Sequence, residues 1–311
     1  MKKYLGIDVG GGSIRGTVVD KEGNSYFDFS VPTNPDSYNQ EFLESVQTVV
    51  KKCISAYEVN GIGIGTPGPI DIDSGVIISS ANLKNLSNVE LTSFIRKEFH
   101  LPVFFNNDAN CASLGEYYFG AGKGSKSLIV FTLGTGLGCG WVLNGKVFNG
   151  FKGNGMEAGH ITVVQNGALC GCGQRGCVEA YFSTKGFIGR YKDRTSIEIP
   201  NSKVFFEKVA AKEKEAMEVL DFGVTAFAEG IRNVVHLVNP DRIVFVGGIT
   251  ASYSLFGKVL EEKAKQIMFP VLSNYIEFKV GSSLAGSYGL LLSLLSKGRS
   301  FERLYFLQNY R

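Results

Sequence analysis

The 311-residue chain has little proline, eight residues against 39 glycines, and only three histidines. It also lacks a long apolar run. The best candidate, LAGSYGLLLSLL near residue 290, is too short and too rich in Ser and Gly to span a bilayer. The start, MKKYLGIDVGGG, carries lysines, but Asp8 interrupts its apolar run, so no secretory leader is expected. Neither sign of charge dominates: 32 Lys and Arg stand against 29 Asp and Glu, a formal +3. That is too mild to argue for nucleic acid or a membrane as partner. No repeat of roughly 20–50 residues is present, which excludes a solenoid. Hydrophobic residues make up 44% and charged ones 20%, an ordinary globular composition in a chain long enough for two domains. We expect a cytoplasmic protein whose thiols stay reduced.

The glycines gather in loops after apolar runs. YLGIDVG (4–10) and IRGTVVD (14–20) are β-rich runs around GGGS, and SYFDFSV alternates like a third strand. Phe42, Leu43, Val46, Val49, Val50, Cys53, Ile54 and Tyr57 recur at helical spacing, predicting a helix from about Tyr38 to Glu58. GIGIGTPG reads as a buried strand entering a turn, LTSFIRKEF as a short helix, PVFFNND as a strand and ANCASLGEYYFG as a helix ended by Gly120. The pattern then restarts: SLIVFTLGTGLGCGWVLNGKVF reads strand, Gly-rich turn, strand, Asn-Gly hairpin, strand. A helical stretch near 180–190, a long helix from about Lys214 to Val238, the strand DRIVFVGGIT, a helix over about 255–267, the strand IEFKVG and a last helix from Ala285 follow. A duplicated α/β unit with a cleft between its halves fits this order. Ligands of such sheets collect at the carboxyl ends of strands.

Three glycine turns sit at such ends. In DVGGGS (8–13), backbone N–H groups can approach an anion, and Asp8 could hold a hydrated Mg²⁺. LGTGLGCG (133–140) repeats the device, with Thr135 able to donate to phosphate, and VGGIT (246–250) suits a nucleobase or ribose. No Walker A loop is present, so ATP would be clamped between domains. In FFNNDANCASLGE (104–116), Asp108 falls at the start of a helix, where it is either a cap or a general base. A carboxylate with an ordinary pKa of about 3.9 is ionised at neutral pH and can take a hydroxyl proton as the oxygen attacks a γ-phosphoryl group. Asn107 beside it offers amide contacts to hydroxyls.

GHITVVQNGALCGCGQRGC aligns His160, Cys170, Cys172 and Cys177, one imidazole and three thiolates. That set makes a closed tetrahedral Zn²⁺ shell, structural because no position stays open for water. No CxxC redox pair occurs, and Cys170 and Cys172 are too close for an unstrained disulfide. Cys53, Cys111 and Cys139 lie in apolar patterns, and His100 and His236 look incidental. Glu157 and Glu179 flank the cluster and, with His160, suit the vicinal hydroxyls of a sugar. With one ring nitrogen of His160 on the metal, the other is free for a substrate hydroxyl.

On these residues the chain resembles the ROK family of sugar kinases, repressors and open reading frames, within the actin-like ATPase superfamily. EAGHITVVQNGALCGCGQRGCVEAY (157–181) carries the likeness most specifically, and GIDVGGGSIRG, GIGTPGPID, NNDANCASLGE, TLGTGLGCG and IVFVGGI follow in the family's order. The resemblance implies an α/β, two-domain actin-like ATPase (ribonuclease H-like) fold with an interdomain cleft. The smaller domain would take 1–118 with a C-terminal helix over about 296–311, and the larger 119–295. Asp108 would be the catalytic base toward a hexose hydroxyl. Gly68, Asn82, Asn107, Glu157, His160 and Glu179 would hold the sugar. Asp8, Gly10, Gly11, Gly12, Ser13, Thr135, Gly136, Gly247 and Gly248 would line ATP and Mg²⁺. A homodimer or higher homo-oligomer would follow. Three departures stand out: Gly12 where the family usually has Thr, Cys139 for a usual glycine, and NLKNL (82–86) where the loop beside the sugar often reads NLPGW. Family repressors carry a helix-turn-helix domain ahead of the first motif, and with YLGID at residue 4 none is expected here. The expectation is therefore an ATP-dependent hexose kinase, with glucose first and fructose, mannose or an N-acetyl hexosamine as alternatives.

Overall fold

A computed structural model describes residues 1–80 and 83–282. Two compact units emerge among the described residues: Met1–Gly120 with Gly145–Gly155, and Ala121–Asn144 with the chain from Met156 to residue 282. The helix expected from Ala285, and with it the 296–311 segment, lies outside the described residues.

The first unit opens with β1 (Lys3–Val9), β2 (Ser13–Asp20) and β3 (Ser25–Pro32), an antiparallel meander. Helix α1 (Asn39–Ala56) follows, and β4 (Ile62–Thr66) then runs parallel to β1. A small sheet of β5 (Ile70–Asp71), β6 (Val76–Ser79) and β7 (Ser87–Val89) intervenes. Helix α2 (Leu91–Phe99), β8 (Val103–Asn107), parallel to β4, and α3 (Asp108–Phe119) complete it. The sheet order is β3-β2-β1-β4-β8. Leu5, Ile7, Val18, Ile62 and Ile64 pack with Phe42, Val46, Val49 and Val50 of α1, all buried. The α1 periodicity read from sequence is this apolar face.

The second unit repeats the plan. Strands β9 (Ser127–Leu133) and β10 (Leu137–Leu143) are antiparallel, and the chain turns through Asn144 and Gly145, both at positive φ, into β11 (Lys146–Val147), a strand of this second sheet whose residues count with the first unit. After the irregular stretch come α4 (Thr184–Thr195), α5 (Ser202–Ala210) and α6 (Lys214–Val238). Strand β12 (Arg242–Val246) is parallel to β9; α7 (Gly257–Ile267), α8 (Pro270–Ser273) and β13 (Glu277–Val280), parallel to β12, follow. The order β11-β10-β9-β12-β13 matches the first sheet strand for strand. Phe131, Phe182, Phe187, Phe205, Phe227 and Phe245 fill its core in edge-to-face, stacked and tilted pairs. Strands β1, β9 and β12 end where the three glycine turns begin. No described helix is long and apolar enough to cross a membrane.

Candidate active site and metal centre

In the first unit, β8 delivers the carboxylate. Asn107 Oδ1 accepts from Ala109 N at 2.9 Å and from Asn110 N at 3.4 Å. The cap of α3 is thus Asn107 rather than Asp108, either residue being chemically suited to it. Asp108 is the first residue of the helix, with its Oδ1 accepting from Ala109 N at 2.8 Å. An anion in that first turn is favoured by the helix dipole. Asp8 lies on β1, opposite Arg15 on β2 and Gly65 on β4. Burial pushes its carboxyl up, and the Arg15 charge opposes this. Cys111, fully buried, is pushed well up by burial and then by the charges of Asp108 and Asp8, so both carboxylates stand in one neighbourhood. An added Cβ at Gly68 would lie 3.7 Å from Asn107 Nδ2, which puts the turn after β4 beside the amide.

The first glycine turn is closed by Gly10 N donating to Ser13 O at 2.9 Å. Thr33 Oγ1 donates to Gly10 O at 2.9 Å and Thr33 N to Gly12 O at 3.1 Å. Sequence reading missed Thr33, which no local pattern connects to the turn. At Gly12 an added Cβ meets nothing within 4 Å, so the space a side chain would take is open. Asn82, the remaining sugar ligand expected of this half, lies outside the described residues.

In the second unit, the turn Gly134–Gly136 is braced from behind. Thr184 N donates to Gly134 O at 2.9 Å, Lys185 N to Thr135 O at 3.3 Å, and Leu137 N to Glu179 Oε2 at 2.9 Å. Gly136 is required here, since a Cβ would sit 2.3 Å from Glu179 Oε2. Gly247 follows β12 at φ +100°, and a Cβ there would meet Leu133 O at 2.5 Å. Because β9 and β12 are neighbours, these two turns lie side by side.

The ligand atoms of His160, Cys170, Cys172 and Cys177 all lie within 4.8 Å of one another. His160 Nδ1 is 3.6 Å from Cys170 Sγ, and Cys172 Sγ is 3.7 Å from Cys177 Sγ. Two antiparallel bridges, Thr162 to Cys177 and Leu169 to Arg175, bring the loop's ends together. Burial pushes the thiols of Cys170 and Cys177 up. Converging sulfurs that resist ionisation fit a cation, which would supply the missing charge. Three sulfurs and one nitrogen are the donor set of a structural zinc. All six cysteines are free of disulfides. Glu157 precedes the turn carrying His160 and accepts, through its carbonyl, from His160 N at 3.0 Å. His160 turns Nδ1 to the sulfurs, which leaves Nε2 as its other polar atom.

The doubled β-sheet plan with a glycine turn in each half defines the actin-like ATPase fold. The ROK family model matches residues 4–291, and the chain belongs to that family. The glucokinase of Thermotoga maritima is 32% identical over 303 residues, spanning 93% of this chain and 95% of that protein. A xylose repressor of Bacillus spizizenii is 28% identical over 285 residues, 88% of this chain and 71% of the repressor. The crystal structure of a ROK family glucokinase from Streptomyces griseus with glucose and AMPPNP superposes with a TM-score of 0.82 at 27% identity, covering 93% of this chain and 97% of that one.

Proposed function

We propose that the chain is an ATP-dependent hexose kinase that moves the γ-phosphoryl group of ATP to a sugar hydroxyl, with glucose and its C6 hydroxyl as the first candidate. The observation carrying this reading is Asp108, held at a helix start by the Asn107 cap in the unit that also bears the Asp8 turn. A relative named glucokinase and a ROK family glucokinase solved with glucose and AMPPNP support the substrate class.

In this reading Asn107 Nδ2 and the backbone at Gly68 hold the sugar on the first unit's side. Glu157, Glu179 and His160 Nε2 bind further hydroxyls. Asp108 Oδ orients the attacking hydroxyl and accepts its proton late, as the new O–P bond forms and the bond to the β-phosphate oxygen breaks, releasing ADP. Gly10, Gly11, Gly12 and Ser13, and across the second sheet Thr135 and Gly136, supply backbone and hydroxyl donors to phosphate. Gly247 and Gly248 offer a flat seat for adenosine. Mg²⁺, when bound, would neutralise phosphate charge, and Asp8 is the residue to hold its water shell. His160, Cys170, Cys172 and Cys177 would hold a structural Zn²⁺ that stiffens the sugar-binding loop. The reading includes a cytoplasmic setting and a homodimer or higher homo-oligomer.

A panel of hexoses assayed with ATP and Mg²⁺ by ADP release tests it. Sugar-dependent turnover on glucose, fructose, mannose or an N-acetyl hexosamine is expected. Sugar binding with no phosphorylation of any of them would instead favour a sugar-responsive regulator, the role named for the xylose repressor relative.

A further inference from the structure

Between β11 and Glu157 the chain runs NGFKGNGM (149–156), a stretch outside the strands and helices used so far. Asn149 Oδ1 accepts from Asn106 Nδ2 at 3.0 Å and from Asn110 Nδ2 at 3.4 Å. Asn106 is fully buried at the end of β8, and its Oδ1 accepts from Asn107 N at 2.7 Å and from Asn110 Nδ2 at 3.1 Å. Asn110 is 1% exposed, and its Oδ1 has no hydrogen-bond donor among the described residues. A buried acceptor left without a donor is destabilising, so the amide stack keeps this orientation against its own stability. The same stretch is tied down again by Asn154, whose amide pairs both ways with Ile70, at 2.9 Å to N and 2.7 Å to O.

We propose that Asn149 is a positioning residue for Asp108, acting through Asn106 and Asn110. The inference rests on the reading of Asp108 as the base. The path is short. Asn149 fixes the Asn106 amide with its nitrogen outward, which turns Asn106 Oδ1 onto the peptide N–H of Asn107. That peptide sets the cap, and the next residue is Asp108. Without Asn149 the buried Asn106 Nδ2 loses its acceptor, only the bonds from Asn107 N and Asn110 Nδ2 to Oδ1 still hold that amide, and the register of the aspartate toward the hydroxyl loosens. A displacement of about 1 Å at a reacting group costs up to roughly 100-fold in rate. Asn149 serves here only as an acceptor, since both bonds arrive at Oδ1. A carboxylate at 149 keeps that function, whereas alanine or leucine removes it. Asn149 is itself only half-buried, so the fold should tolerate the change.

The experiment is steady-state kinetics with thermal melts on Asn149→Ala, Asn149→Leu and Asn149→Asp, beside wild type and Asp108→Asn. Whichever of the Ala and Leu variants folds should lose at least about tenfold in kcat with the hexose KM within about threefold of wild type. Asn149→Asp should recover at least about a third of wild-type kcat. A folded Ala or Leu variant with kcat within about twofold of wild type overturns the inference alone, and so does an Asp variant as slow as the Ala variant. Wild type without turnover, or an active Asp108→Asn, overturns the reading of the base and this inference with it.

Discussion

Glu179 Oε2 accepts the Leu137 backbone N–H at 2.9 Å, while its Oε1 lies 3.6 Å from Cys170 Sγ. One carboxylate therefore joins the cysteine-histidine cluster to the second glycine turn. The loop proposed to bind sugar and the turn proposed to bind phosphate share a side chain, so a disturbance at either should be felt at both.

Gly136→Ala tests that link without touching a metal ligand. Its Cβ would fall 2.3 Å from Glu179 Oε2, and the carboxylate must move off the turn. We expect KM for ATP and for hexose to rise together, each by about tenfold, or about 1.4 kcal/mol, with metal content unchanged. Measured KM values both within about twofold of wild type would break the link.

Cys172→Ser addresses the metal. Cys172 is the exposed member of the cluster, so its loss does least to the core. Atomic absorption should show zinc falling from about one per chain, and hexose affinity should weaken in parallel. A zinc-free variant with wild-type KM would separate the metal from the sugar.

Asp8→Asn bears on pH. Burial raises the Asp8 carboxyl pKa in the folded chain, with Arg15 opposing. The proton is thus bound more tightly folded than unfolded, and ionisation at neutral pH works against the fold. Without nucleotide or Mg²⁺, the Asn variant should melt above wild type at neutral pH. The gap should narrow as pH falls toward the unfolded value of about 3.9, where wild type regains its proton. Turnover should drop by at least about 100-fold. A variant that melts below wild type at pH 7 would contradict the assignment of cause.

Much of this was legible in the sequence for physical reasons. Helix α6 (Lys214–Val238) shows many turns of uninterrupted apolar periodicity, and the glycine turns and the Cys/His set are written in residue type. Strands β5, β6 and β7 were missed because they are two, four and three residues long, too short for a period of two to register. Helix α5 (Ser202–Ala210) falls between the stretch near 180–190 and Lys214, where the sequence reading named no element. The cap went to Asn107 where Asp108 was weighed, since Asn and Asp are equally good there. The Asn154–Ile70 pairing spans 84 residues, and no local pattern announces such a bond.

The most direct test of the whole account is Asp108→Asn, assayed for hexose phosphorylation and, separately, for sugar binding by calorimetry. A positioned general base contributes about 10²–10⁴ in rate. The account predicts a loss of kcat in that range with the sugar dissociation constant within several-fold of wild type. A variant that keeps its turnover within about tenfold would remove Asp108 from the mechanism.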